Sequence, residues 1–287
     1  MSFVHEPNIR VNVNGPVYNS TLWIRNISNR LNADLALKIN VQFVKIDNAN
    51  NLRGLTRGPN PLPPIVPWGA EWNGWKQQAL RFVNEYWNNK LYLVPQGFCG
   101  LDWRVSLGNV YRPNFRCGLV VREAGSPHIR IGCVKVPPNG PHTSFWLRRS
   151  KILWLDNRDT ALQNKVGGQQ QRPIVHEFGH VLGLSHVGAN SQACLSAQDG
   201  NATVCYGSAG SYQAGDVMGT GMRLDGWHSW PWKNRLKQHL HRIHRDVAMN
   251  AVLRRPAPRR LFSYEMHEPS SHRLSGGVGA SSRDGGV

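Results

Sequence analysis

The run His176-Glu177-Phe178-Gly179-His180-Val181-Leu182-Gly183-Leu184-Ser185-His186 has the residue types and spacing for metal chemistry. His176 and His180 are four positions apart, so on a helix both imidazoles leave one face within reach of a single ion. Glu177 lies about 100° further round that helix, beside the ion rather than on it, where it can hydrogen-bond a water and serve as general base. Gly183 stands where the chain must leave the helix, because glycine readily takes the left-handed conformation that ends one. The turn then returns His186 as a third ligand. Three histidines leave one tetrahedral position open, which marks a catalytic rather than a closed structural zinc site. Zinc lowers the pKa of a water there to about 7. Five fixed positions at this spacing arise by chance on the order of once in 10⁴ chains of this composition, or less often.

Such a motif must be carried by a helix and braced by a core. Residues 172–182 supply the helix: Pro173 suits its first turn, and Ile174, Phe178, Val181 and Leu182 give it an apolar face. A second helix is expected over 75–89, with Trp75, Ala79, Phe82, Val83 and Tyr86 on one side at three- and four-residue spacing. Strands are expected at 9–13, 39–46, 91–94, 116–121, 128–136 and 152–155, where β-branched and apolar residues alternate or run together. The Pro-rich stretch 59–67 reads as an extended connector. Residues 187–216 lack periodicity and read as a long loop, and 232–253 as a final helix. This order predicts an α+β fold with a mixed sheet.

Length and composition suit a globular protein, with 287 residues, 40% apolar and 18% charged. No stretch approaches the roughly 18 apolar residues of a membrane span, and the N-terminal residues lack the pattern of a Sec signal peptide. The formal charge of +17 favours acidic partners. Nine Lys or Arg residues against one acid fall between Trp232 and Arg260. That segment reads as a solvated basic face or as an anchor for an acidic protein, anionic membrane or nucleic acid. Of five cysteines none has C-x-x-C spacing, which argues against a Cys-based zinc knuckle. Cys194 and Cys205 can close a loop as a disulfide, or stand as two free thiols. Cys117 and Cys133 would face each other in a hairpin turning at 124–126.

The histidine run matches H-E-x-x-H-x-x-G-x-x-H at every fixed position, and so resembles the metzincin metallopeptidases. That clan also has a methionine-containing turn beneath the metal, which Asp216-Val217-Met218-Gly219-Thr220-Gly221 fits. The resemblance implies that Met218 is an apolar base under the histidines, not a ligand. It also implies a cleft between an upper subdomain, with mixed sheet and two long helices, and a smaller, mostly irregular lower one with a C-terminal helix. Thr220 stands where astacins and serralysins carry a tyrosine. The family's strand order does not make the strands carrying Cys117 and Cys133 neighbours, which conflicts with the hairpin. In related enzymes substrate pairs antiparallel with an edge strand, for which 128–136 and 152–155 are the candidates here.

The expected organisation is then residues 1–67 as strands and connector joined to the catalytic domain, 68–253 as the catalytic core, and 254–287 as a basic, largely flexible tail. The expected activity is zinc-dependent hydrolysis of protein or peptide substrates, with His176, His180 and His186 holding the ion and Glu177 moving the proton. A toxin or effector exported without a Sec signal is compatible with this. The alternative from another class is a basic nucleic-acid- or membrane-binding protein with structural zinc.

Overall fold

The computed structural model describes residues 8–25, 32–48, 52–55, 63–95, 103–106, 109–111, 113–141, 144–250 and 264–265. Cys99 and all of the basic tail except Tyr264–Glu265 lie outside these residues.

The sheet is organised around β3 (Asn32–Ile46), long enough to have different neighbours along its length. After the antiparallel pair β1 (Asn8–Val13) and β2 (Asn19–Arg25), β2 continues antiparallel onto the first half of β3. Its alternate residues Ala33, Leu35, Leu37, Ile39 and Val41 are all buried, the period of two that a pleated strand imposes. Near its end the other face is covered too: Val44 and Ile46 pack with Leu55, Val134 and Trp154 in a smaller cluster.

Next in the chain are α1 (Trp72–Trp87), β4 (Leu91–Pro95) and a two-stranded ribbon of β5 (Trp103–Ser106) and β6 (Asn109–Tyr111). The remaining sheet strands are β7 (Asn114–Glu123), β8 (Ile129–Val134), β9 (Phe145–Leu147) and β10 (Ile152–Asp156). β7 lies parallel to β3 on one side, and β8 lies parallel to the second half of β3 on the other. β10 is parallel to β8, and β9 runs antiparallel outside it. β4 pairs antiparallel with β7, and β13 (Tyr264–Glu265) with β4. The result is a mixed sheet in an α+β fold, ordered β13-β4-β7-β3-β8-β10-β9.

Two expectations are corrected by this order. β7 and β8 do not form a hairpin; both flank β3, where Cys117 is opposite Leu35 and Cys133 is opposite Lys45. Both thiols are free, and burial pushes their pKa values up. Nor are 128–136 or 152–155 at an edge: β8 is flanked by β3 and β10, and β10 by β8 and β9. The edge on that side belongs to β9, whose three residues carry no alternating pattern.

α1 buries Trp75, Ala79, Val83 and Trp87, a stripe at four-residue spacing against β7 and α2 (Pro173–Leu182). The Asn84 side chain accepts from the Val121 N–H and donates to the Val121 carbonyl, at 2.8 and 3.0 Å, satisfying β7 backbone beyond its pairing with β4. The stretch read as an unstructured loop contains α3 (Gln192–Ala197), with Ser191 as N-cap, and a 3₁₀ turn at Thr203–Tyr206. Both are too short to show helical periodicity.

The last helix, α4 (Trp230–Asn250), lies across the first three strands. Arg235 and Arg242 donate to the carbonyls of Tyr18 and Asn12 at 2.8 and 2.7 Å, and buried His239 meets the Ser20 hydroxyl at 2.9 Å. Trp232 is fully buried and donates to the Gly118 carbonyl in β7. Among the described residues, no helix is long and apolar enough to cross a membrane.

Candidate metal centre

α2 starts at Pro173, where a missing N–H costs nothing, and stops at Gly183, whose φ of +97° only glycine adopts readily. The Leu184 N–H bonds back to the Gly179 carbonyl at 2.9 Å, and that reversal brings His186 towards the helix. His176 Nε2 and His180 Nε2 then lie 3.3 and 3.0 Å from His186 Nε2, and ligand atoms of the three residues all fall within 4.8 Å of one another.

The outer nitrogens fix the protonation. His176 Nδ1 bonds the Val217 carbonyl at 2.7 Å, His180 Nδ1 that of Leu184 at 2.8 Å, and His186 Nδ1 that of Gly200 at 2.7 Å. A carbonyl only accepts, so each Nδ1 carries the proton and each Nε2 presents a lone pair. Burial pushes all three imidazole pKa values down, that of His180 to about 4, and neighbouring imidazoles add to this for His176 and His180. Three bare lone pairs so close repel unless a cation lies among them. Zinc–nitrogen bonds of about 2.0–2.1 Å place tetrahedral nitrogens roughly 3.3 Å apart, close to the two shorter separations here. The three imidazoles are thus a donor set that can hold a metal ion.

Glu177 is buried, and among the described residues its Oε2 has no hydrogen-bond partner. Burial, followed by the charge of Asp159, holds its carboxyl well above the usual range. Glu177 and His176 line a cavity of about 270 Å³. A larger one, about 750 Å³, lies beside Trp68, Trp75 and Arg81 and includes none of the four motif residues.

Met218 is fully buried next to α2. A Cβ on Gly179 would come within 2.2 Å of its Sδ, so glycine is what allows the turn to lie against the helix. The turn hangs on Asp216, also fully buried: Oδ1 accepts from the Met218 N–H at 2.7 Å and from His228 Nε2 at 2.9 Å, and Oδ2 from Trp227 Nε1 at 3.0 Å. His228 and Trp232, both fully buried, are thus packing residues. Asp216→Ala strands the His228 imidazole and the Met218 amide in the interior, and is expected to cost about 3–5 kcal/mol. Chemical denaturation of the variant checks this, and a loss under 1 kcal/mol contradicts it.

Cys194 and Cys205 are joined by a disulfide. The ring it closes contains Gly200, whose carbonyl orients His186, and the closure stabilises by about 2–3 kcal/mol. Three contributors to the site escape a reading by spacing. Gln171, just before α2, donates to the Gly219 carbonyl at 2.8 Å. Gly200 contributes only a backbone oxygen. Tyr206 packs its ring 3.9 Å from that of His186 and lines the cavity, while burial and then Glu177 push its phenol up to about 12. Its place beside Cys205 is a weak signal, since a disulfide fixes its neighbours.

Compared with protein-family models, with curated proteins and with solved structures, the chain shows no significant match in any of the three.

Proposed function

We propose that this chain is a zinc-dependent endopeptidase of metzincin type. The observation that carries the reading is the cluster of His176, His180 and His186 ring nitrogens, with His176 lining one cavity together with buried Glu177, whose Oε2 has no hydrogen-bond partner among the described residues. Support comes from the turn at Met218 against α2, from the non-adjacent β7 and β8, and from the antiparallel edge strand β9 beside β10.

Zinc held by His176, His180 and His186 would supply a Lewis acid that acidifies water and polarises a carbonyl. The chain's own groups do the rest. Carbonyls of Val217, Leu184 and Gly200 keep the three rings turned inward. Glu177 Oε2 takes the proton of the attacking water and returns it to the amine nitrogen that leaves. β9 offers its outer edge to an extended substrate, and Ser144, the residue before it, lines the cavity, so a chain lying there passes its side chains over the centre.

An unbiased peptide library incubated with the zinc-loaded protein tests this reading. Cleavage at internal bonds is expected, abolished by a chelator and restored by equimolar zinc. A zinc-loaded protein that leaves the library intact, or cleavage indifferent to chelation, overturns it.

A further inference from the structure

The cavity lined by His176 and Glu177 has mostly polar side chains on its walls, and its charged groups are unevenly engaged. Asp156 is engaged by Arg158, whose Nε lies 3.0 Å from Oδ2 and whose backbone N–H lies 2.7 Å from Oδ1. Asp159 Oδ2 accepts from the Ser144 hydroxyl and from the Asp156 N–H at 2.7 Å. Burial, with the neighbouring Asp156, also pushes the Asp159 carboxyl pKa up.

Lys165 is different. It sits in the tight turn between β11 (Gln163–Asn164) and β12 (Gln170–Gln171), fixed by its N–H to the Gln169 carbonyl at 2.8 Å. Among the described residues its ammonium has one weak partner, the Gln163 amide oxygen at 3.4 Å. An ammonium has three donors, so Lys165 brings an under-used cation to the cavity wall. Lys165 lines the same cavity as His176, Glu177 and Asp159, which places it beside the candidate centre.

We propose that this cavity selects a substrate side chain bearing a carboxylate, with Lys165 as the group that binds it. The inference rests on the peptidase reading and deepens it by naming the substrate class. About 270 Å³ accommodates an aspartyl or glutamyl side chain, given that a water claims about 30 Å³ of liquid. The amides and hydroxyls of Gln163, Asn201 and Thr203 on the walls can hydrogen-bond its oxygens. An apolar side chain would dehydrate these walls without replacing their hydrogen bonds, and a basic one would meet Lys165 with like charge. The chain's net charge of +17 draws acidic peptides towards it.

The test compares peptides identical except for Glu, Gln, Leu or Lys in turn at each position flanking a bond the protein cleaves. Wild-type protein is expected to favour Glu over Gln by about 10–100-fold in kcat/KM at one position, the range of a charge-assisted hydrogen bond. Lys165→Ala should collapse that ratio to near unity, Lys165→Arg should keep most of it, and Lys165→Glu should favour the Lys peptide. Zinc content and unfolding midpoint show whether each variant is intact, and Lys165→Arg remains informative if the alanine variant fails to fold. Equilibrium binding of the same peptides to zinc-loaded Glu177→Gln protein gives a readout independent of turnover. Binding that favours Glu through Lys165 in a protein that cleaves nothing keeps this inference and removes the peptidase reading. No acidic preference in either assay, or a preference unchanged in Lys165→Ala, overturns the inference.

Discussion

Glu177→Gln is expected to lower peptide hydrolysis by about 10²–10⁴-fold, the usual contribution of a positioned general base. Zinc content and fold should be unchanged. The substitution keeps the shape of the side chain and removes its capacity to take a proton. Glu177 is buried and its Oε2 has no hydrogen-bond partner among the described residues, so the amide breaks no hydrogen bond seen at that oxygen. The three imidazoles take their orientation from Val217, Leu184 and Gly200, not from Glu177, so the metal should remain. Single-turnover assays at matched zinc occupancy check this. Wild-type activity in the zinc-loaded variant would remove Glu177 from the chemistry, and loss of zinc would show that it helps hold the ion.

The other large effect is on the metal itself. His176→Ala, His180→Ala and His186→Ala each leave two imidazoles, and zinc affinity is expected to fall well beyond 10²-fold. Removing a mere hydrogen-bond partner of a ligand already costs roughly 10–100-fold, and here a ligand itself is lost. His186→Ala should also loosen the disulfide-closed ring, because it removes the bond to Gly200 and the ring contact with Tyr206. Metal analysis after dialysis against a weak chelator distinguishes the outcomes. Full occupancy in all three variants would rule out the site.

What was legible in the sequence was local. The helix bearing His176 and His180 announces itself through 3.6-residue periodicity, Pro173 and Gly183, and these residues occupy the ends and apolar face expected of them. α1 and most strands follow from the same kind of pattern. Pairing across the sheet does not, because β3 shares its length among β2, β7 and β8, and no local signal tells a strand which neighbour it has. β2 and the three-residue β9 left no usable alternation. Mistaking β10 for an edge followed from missing β9, and mistaking β8 for one from not seeing that β3 and β10 flank it. Around the metal centre, the ligands are side chains and could be found by spacing, whereas their orienting partners are carbonyls of Val217, Leu184 and Gly200, which any residue type can supply. The disposition of Lys165 depends on a turn of the β11–β12 pair that only the fold places beside Glu177.

The clasp of α4 over the first strands has a consequence for the timing of maturation. Tyr18 and Asn12 leave the ribosome more than two hundred residues before Arg235 and Arg242, the partners that cover them. At about 5–20 residues per second, the hairpin waits many seconds for its lid. The same late stretch supplies His228, which holds Asp216, which holds the amide of Met218 under α2. The nascent chain therefore emits the whole histidine motif before it can complete the support beneath it. Contacts spanning such a distance slow folding far more than they weaken the folded state, because loop-closure entropy grows only with the logarithm of length. The order of synthesis thus delays assembly of a hydrolytic centre until nearly all of the chain that must surround it is present.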